Sequence, residues 1–338
     1  MNNKRLDVLA MGATLGVMLA NRMYSPFSSV SATDCHNPSD LATAASDEEM
    51  SELDKRMLKY FKSYYYVPPI RKDGIVKPFP AKECGSSPDY DEFFTLDKKQ
   101  RSANNEDRWI YNNLFLGKNT TTGGSPGTYV EIGAFNGMHE SNSRFFEACL
   151  GWEGLLVEGQ PANYNGVLRD RPLAHKMSFA PSCDTEYEEV IKTIQFHNYP
   201  RENSGLRGHA KTYDKQNVVE ADGGNPWWKH VVDVPCGPFG PVLEDVFAGK
   251  QINFFSLDVE GSERLVLDTI DFSRIKIDVL MIEIENAHCD ALLQCEVRER
   301  VREKMAEEGY LRYENLVPKS DVYVHPESSF QLPATSVI

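Results

Sequence analysis

The chain has 338 residues, of which 41% are hydrophobic, so it can bury the core of one large or two small domains. Its 50 acidic and 36 basic residues give a formal net charge of −14. This balance argues against a nucleic acid as partner, because binding a phosphate backbone requires a basic face. It favours an acidic, solvated surface and a neutral or cationic small ligand, although solubility alone also explains it.

The N-terminal segment has the features of a targeting sequence. Lys4 and Arg5 precede an apolar run at residues 6–20, which is short for a membrane-spanning helix and matches the core of a signal peptide. We predict that residues 1–32 are a signal peptide or signal anchor, with membrane anchoring through residues 6–20. The protein would then reside in the endomembrane system (the ER or Golgi lumen) or be secreted. An organelle-targeting peptide is the alternative, since Arg22 and the serines after it suit one.

Seven cysteines are scattered along the chain, at positions 35, 84, 149, 183, 236, 289 and 295. They form no C-x-x-C pair and no zinc-finger spacing, so a cysteine metal site is not predicted. Such a set usually consists of buried thiols, and one or two disulfides are the alternative if the chain is secreted. A glycosylation sequon that begins at Asn119 fits a lumenal location.

Residues 33–105 are predicted to be a linker and an irregular N-terminal extension. Residues 33–55 are rich in Ala, Ser, Asp and Glu, and prolines break the aromatic stretch that follows. The amphipathic stretch "EDRWIYNNLFLG" at residues 106–117 predicts a helix, so we place the main domain at residues 106–338.

From residue 128 the sequence alternates between strand and helix patterns. The predicted strands cover residues 128–132, 154–157, 173–179, 252–257 and 277–284, and two more surround a P-K-S-D turn near the C-terminus. The predicted helices cover residues 141–150, 161–169, 262–270 and 291–308. This alternation predicts an α/β fold, with a mostly parallel sheet, an antiparallel hairpin at one edge and helices on both faces.

Four acidic residues end or follow predicted strands: Glu131, Glu158, Asp258 and Glu283. Ligands of open parallel sheets bind beyond the carboxyl ends of the strands. We therefore expect these carboxylates on one rim, around a bound ligand.

The loop G-A-F-N-G at residues 133–137 discriminates between cofactors. Its glycine spacing differs from the G-x-G-x-x-G of dinucleotide-binding loops. Glu131 precedes the loop, and a carboxylate there would repel a diphosphate but attract an ammonium group. Glu158 is placed to accept hydrogen bonds from both ribose hydroxyls of either cofactor. The pattern favours S-adenosylmethionine, which carries an ammonium and no phosphate, over a nicotinamide dinucleotide.

The stretches "TYVEIGAFNGMHESNSRFFEACLGWEGLLVEGQPANYNGVLRDRP" and "INFFSLDVEGSERLVLDTIDFSRIKIDVLMIEIE" carry these motifs. In this order they resemble the FkbM-type methyltransferases. The resemblance implies a Rossmann-like class I methyltransferase fold, whose seven-stranded sheet binds S-adenosylmethionine. It also implies a methionine-side loop formed by Glu131, Gly133, Ala134, Asn136 and Gly137. Glu158 would hold the ribose, and Ser178, with the residues up to 181, would flank the adenine.

The family mostly methylates hydroxyl groups, often on sugars or natural products, and such an acceptor needs a base within hydrogen-bond reach. Asp258 would face the sulfonium, so we predict it as a cofactor contact and as the base or acceptor-orienting residue. Glu260 and Glu283 are further catalytic candidates, and His139 is a second candidate base. Asp258, Glu260 and Glu283 could instead hold Mg²⁺, which prefers oxygen ligands, but no metal site is predicted.

Residues 184–230 are long for a connection and are predicted to be an insertion that covers the acceptor. Arg207 and His209 are candidate contacts, and Trp227 and Trp228 are either an acceptor wall or a loop anchor.

We therefore predict an S-adenosylmethionine-dependent methyltransferase that modifies a hydroxyl on a sugar, a glycan or a small metabolite, without a nucleic-acid partner. A nicotinamide-dependent oxidoreductase and a non-catalytic lumenal binding module are the alternatives. A methyltransferase acting on a basic peptide is also open.

Overall fold

We analysed a computed structural model. It describes residues 56, 60–61, 63–70, 80–120, 126–183, 192–197, 204–206, 231–284 and 292–332. The predicted targeting segment at residues 1–32 lies outside these ranges, and so do Arg207, His209, Trp227 and Trp228. Within them, no helix has both the length and the apolar character needed to cross a membrane.

The strands of the described residues are β1 (Thr128–Ile132), β2 (Glu153–Val157), β3 (His175–Met177), β4 (Lys192–His197), β5 (Val231–Cys236), β6 (Ile252–Leu257), β7 (Ile277–Glu283), β8 (Leu311–Val317) and β9 (Ser320–Val324). Seven of them form one sheet in the order β3-β2-β1-β6-β7-β9-β8. The first five strands of this order (β3, β2, β1, β6 and β7) are parallel to one another. β9 is antiparallel to both of its neighbours, β7 and β8. The predicted parallel sheet with an antiparallel edge hairpin is confirmed. β4 and β5 form a separate antiparallel pair.

The helices are α1 (Asp91–Phe94), α2 (Glu106–Ile110), α3 (Arg144–Leu150), α4 (Pro161–Asp170), α5 (Gly240–Phe247), α6 (Glu263–Leu267) and α7 (Leu292–Glu307). A π-helical turn at Tyr111–Phe115 continues α2, and a 3₁₀ turn forms at Lys82–Cys84. The sequence analysis missed α1 and α5. Pro241, in the first turn of α5, is a typical helix-start signal that could have indicated it.

Side chains of the central strands alternate between two cores, one on each face of the sheet. On β1, Val130 belongs to the first core and Tyr129 to the second. Val242 of α5 packs in the first core, whereas Phe145 of α3 packs in the second. Because successive strand residues point to opposite faces, helices cover both faces of the sheet, as predicted.

The described part of the predicted N-terminal extension is built into these cores. Tyr60, Tyr64 and Tyr66 are buried in the first core, and Phe93 and Phe94 are buried in the second. The domain therefore begins before residue 106, since removing these aromatic side chains would open both cores.

Two disulfides tie loops to this framework. Cys84 bonds to Cys149 of α3, and Cys183 bonds to Cys236 at the end of β5. For these four cysteines the disulfide alternative is confirmed, in place of the expected buried thiols.

Candidate active site

The carboxyl edge of the parallel strands holds two cavities, and Asp258 lies on the wall of both. Asp258 directly follows β6, the central strand, in which all six residues are buried. Its backbone N–H donates to the carbonyl of Ile132 at 3.1 Å, which fixes it beside the end of β1. A residue in this position can contact the ligands of both cavities.

The first cavity, which we call the Glu158 cavity, is an open cleft that encloses about 500 Å³ of empty space, open solvent included. Glu158 and Asn163 form part of its polar wall, and Phe179, Ala180 and Pro181 form part of its apolar wall. An apolar slot beside a carboxylate suits a nucleoside, because the slot can hold the base while the carboxylate accepts hydrogen bonds from the ribose.

The Glu158 carboxylate is buried and held from two sides. It accepts hydrogen bonds from the backbone N–H groups of Phe135 at 2.8 Å and Gln160 at 2.7 Å. Burial raises the pKa of Glu158 to about 8, although these two hydrogen bonds oppose the shift. Ligand hydroxyls that donate to the carboxylate would favour its charged form and lower the pKa again.

The loop after β1 passes close to both neighbouring strands. The N–H groups of Gly133 and Ala134 donate to the carbonyl of Val157 at 3.0 and 3.1 Å. Gly133 has φ +83°, and an added Cβ would overlap the carbonyl oxygen of Asp258. Only glycine fits this position, because both the backbone angle and the contact exclude a side chain.

Asn136 and Gly137 shape the second half of this loop. The Asn136 side chain accepts hydrogen bonds from the N–H groups of Met138 and His139 at 3.0 and 2.8 Å, which closes a tight turn. Gly137 has φ +80°, and an added Cβ would lie 2.7 Å from Cγ of Arg171. These two predicted residues therefore define the shape of the loop.

The structure gives Glu131 a different position from the one predicted. Its side chain is buried, accepts hydrogen bonds from the hydroxyls of Ser141 at 2.8 Å and Ser143 at 2.5 Å, and is not on the wall of either cavity. The backbone N–H of Asn142, a residue of the second cavity, donates to it at 2.8 Å. Contact with a cofactor ammonium is not supported, since protein donors occupy both carboxylate oxygens. Glu131 instead positions the residues that surround the site.

Arg171 completes this buried network from the end of α4. Its guanidinium donates to the carbonyl of Gly137 and to the hydroxyls of Ser141 and Ser143 at 3.0–3.1 Å. It also pairs with Glu147 at 3.0 Å. Removing one partner of such a buried pair is strongly destabilising, because the other charge is left in a low-dielectric interior.

The second cavity, which we call the Glu283 cavity, has a volume of about 460 Å³ and a polar lining. Glu106, Glu140, Asp258 and Glu283 contribute carboxylates to it, and Lys319 is the cation among its described wall residues. This excess of acids favours a neutral or cationic ligand over an anionic one.

Three predicted acids lie close together around Asp258, the residue that the two cavities share. Oxygen atoms of Asp258, Glu260 and Glu283 lie within 4.8 Å of one another. Glu263 positions the turn that follows Asp258 and contains Glu260. Its Oε1 accepts hydrogen bonds from the N–H groups of Val259 at 3.3 Å and Gly261 at 3.0 Å. The oxygen ligands suit a hard cation such as Mg²⁺. Similar acidic clusters occur without an ion, so we assign no metal to them.

Several predicted residues besides Glu131 line neither cavity, namely Ala134, Asn136, Gly137, Glu260, His139 and Ser178. His139 is not on the described wall of either one, and its Nε2 lies 3.5 Å from a carboxylate oxygen of Glu140. Ser178 also lies behind the wall, where its N–H donates to the carbonyl of Tyr64 at 2.8 Å. The residues at 179–181 line the Glu158 cavity, so their predicted place beside an adenine stays a prediction that this cavity allows.

Ser262 is a further residue of the Glu158 cavity, and we did not predict it from the sequence. It lines the Glu158 cavity and is 2% exposed, and its hydroxyl has no hydrogen-bond partner in the described part of the protein. Buried hydroxyls are nearly always bonded, so this one is available to a ligand. The D-V-E-G-S-E motif could have indicated it, had the serine been considered beside the acids.

Three described residues of the predicted insertion, Phe196, Ser204 and Leu206, line the Glu158 cavity and not the Glu283 cavity. The expectation that residues 184–230 cover the acceptor stays a prediction.

The strand order and the cavities at the carboxyl edge are those of a Rossmann-like methyltransferase. A comparison with protein families matches residues 131–311, more than half of the 338-residue chain, to the methyltransferase FkbM domain. The chain therefore belongs to the FkbM methyltransferase family, which confirms the resemblance seen in its sequence. No curated protein sequence matches it.

Proposed function

We propose that the protein is an S-adenosylmethionine-dependent methyltransferase that methylates a hydroxyl group on a neutral sugar, a glycan or a small hydroxylated metabolite. The shared position of Asp258 on both cavities carries this proposal. The methyl donor binds in the Glu158 cavity, where Glu158 accepts hydrogen bonds from the ribose. The acceptor binds in the Glu283 cavity, whose excess of carboxylates disfavours phosphorylated and carboxylated acceptors.

Asp258 is the base of the proposed reaction. A hydroxyl is a weak nucleophile until its proton begins to leave, so a carboxylate next to it accelerates the transfer. Asp258 would receive the proton of the acceptor hydroxyl, and S-adenosylmethionine, held by Glu158, would supply the activated methyl group.

Two features support a lumenal or extracellular location. The disulfides Cys84–Cys149 and Cys183–Cys236 are typical of an oxidising compartment. They agree with the signal peptide or anchor predicted at residues 1–32, whose apolar part would attach an uncleaved chain to the membrane. Secretion of the full chain, carrying a glycan on Asn119 that an endoglycosidase removes, would support this location. Retention of the chain in the cytosol would contradict it.

A methyl-transfer assay tests the function. The protein, purified under oxidising conditions, is incubated with methyl-labelled S-adenosylmethionine and two sets of acceptors: neutral sugars, and the same sugars carrying phosphate or carboxylate groups. We expect label on a neutral acceptor. Binding of the donor without transfer to any neutral acceptor would favour the non-catalytic binding module.

A further inference from the structure

We propose that β4, β5 and residues 204–206, which together we call the small sheet, form a wall of the cofactor site. In this wall Phe196 packs against the adenosine part of the donor, and the Cys183–Cys236 disulfide holds the small sheet in place. The inference rests on the proposed function, because it assumes that the donor occupies the Glu158 cavity.

Apolar side chains of the small sheet line the Glu158 cavity and pack against residues that follow β3. Phe196 and Leu206 line the Glu158 cavity, are 8% and 2% exposed, and pair through an isolated β-bridge. They belong to a third hydrophobic cluster with Ala180, Val234 and Cys236. Ala180 also lines the cavity, so this cluster joins the small sheet directly to the predicted adenine side.

Gly159 shows how close the small sheet comes to the predicted ribose-binding residue. A Cβ added at Gly159 would lie 2.5 Å from Cζ of Phe196, so the aromatic ring rests on the backbone immediately after Glu158. The ring and the carboxylate therefore border the same part of the cavity. An aromatic face at this distance from a ribose site suits the purine of an adenosine ligand.

The small sheet is joined to the rest of the domain near the disulfide. β4 and β5 pair with each other and with no strand of the seven-stranded sheet in the described residues. The N–H of Ala180 donates to the carbonyl of Pro235 at 2.8 Å, and the N–H of Gly237 donates to the carbonyl of Ala180 at 3.3 Å. The disulfide adds a covalent bond at this junction, between residues 53 positions apart. Removing it leaves these hydrogen bonds and the apolar cluster to hold the wall.

Matched cysteine variants test the inference. Cys183→Ser/Cys236→Ser removes the disulfide of the small sheet. Cys84→Ser/Cys149→Ser removes the other, which closes a comparable separation of 65 residues and belongs to the second core rather than to the cluster of the small sheet. Calorimetry with S-adenosylhomocysteine and with methylthioadenosine, which keeps only the adenosine part, measures affinity, and thermal unfolding checks the fold. We expect the first variant to bind both ligands about tenfold more weakly, and the second to bind them within about twofold of the wild type.

Phe196→Leu keeps the test decisive if the first cysteine variant does not fold. Its control is Phe330→Leu, the same substitution at a buried residue of the second core that lines neither cavity. We expect Phe196→Leu to weaken binding about 3- to 10-fold and Phe330→Leu to leave it unchanged. Equal affinities in Phe196→Leu and the wild type, or equal losses in the two cysteine variants, would overturn the inference and leave the proposed function intact. Absence of binding by the folded wild type would overturn the proposed function, and the inference with it.

Discussion

The backbone of Gly133 touches the backbone of Asp258, since a Cβ on Gly133 would overlap the carbonyl oxygen of Asp258. The loop after β1 therefore packs against the turn after β6 at this point, and no side chain fits between them. This contact sets the separation between the proposed donor site and the proposed base.

Gly133→Ala should disrupt this contact and the donor site with it. We expect the free energy of unfolding to fall by about 2–4 kcal/mol, because φ +83° is unfavourable for alanine and the new methyl group must displace backbone. Donor binding should be lost. Gly249→Ala is the control, since Gly249 has φ +80° but an added Cβ meets nothing within 4 Å. Its cost should be about 1–2 kcal/mol, without an effect on binding. Similar costs for both variants in chemical denaturation would contradict the account.

The raised pKa of Glu158 predicts that nucleoside binding depends on pH. The carboxyl, whose pKa is about 8 in the free protein, is mostly protonated at pH 6.5. Ligand hydroxyls favour the charged form, so affinity should increase severalfold as the pH rises from about 6.5 to 8, and then level off. Methylthioadenosine is a suitable ligand, since it has a ribose but no amino acid group that titrates in this range. Glu158→Gln should give weak, pH-independent binding, whereas an unchanged pH profile in that variant would exclude Glu158 as the titrating group.

Asp258→Asn should separate methyl transfer from donor binding. Loss of the base is expected to reduce the rate of transfer to a neutral acceptor by about 10²- to 10⁴-fold. Affinity for S-adenosylhomocysteine, which carries no sulfonium charge, should change by less than about threefold, because an amide nearly reproduces the size of the carboxylate. Asp268→Asn is the control. Asp268 pairs with Arg264 of α6, and neither residue lines a cavity. Retained transfer in Asp258→Asn would show that another group takes the proton.

Ser262→Ala should have opposite effects on stability and on binding. Because the hydroxyl is buried without a hydrogen-bond partner, its removal should leave the ligand-free protein equally stable, or more stable by up to about 1 kcal/mol. Donor affinity should fall about 5- to 10-fold, since one hydrogen bond to the ligand is lost. Ser178→Ala, at a buried serine behind the wall, should not change affinity. If both variants bind like the wild type, Ser262 is not a ligand contact.

Local sequence patterns predicted the central part of the fold well. Strands such as β6 combine a continuous apolar run with full burial, and the acids after them, Glu158 and Asp258, fall on the cavity walls because strand direction alone puts them there. The family resemblance predicted the class of enzyme from the same stretches.

Long-range pairing explains what the sequence did not predict. Glu131 was expected to face a ligand, but Arg171, 40 positions further along the chain, and two serines surround it instead. The small sheet joins strands separated by a long insertion, so no local pattern indicated that Phe196 would reach the Glu158 cavity. Ser178 was misplaced for a similar reason, since its backbone N–H pairs with the carbonyl of Tyr64, a residue 114 positions earlier in the chain.

Calorimetric titration of the full chain with S-adenosylmethionine and, separately, with NAD⁺ tests whether the Glu158 cavity holds a methyl donor. We expect S-adenosylmethionine to bind with about micromolar affinity, Glu158→Ala to weaken this binding at least about tenfold, and NAD⁺ not to bind. Binding of NAD⁺, or binding of S-adenosylmethionine with equal affinity in Glu158→Ala, would contradict the placement of a methyl donor in the Glu158 cavity.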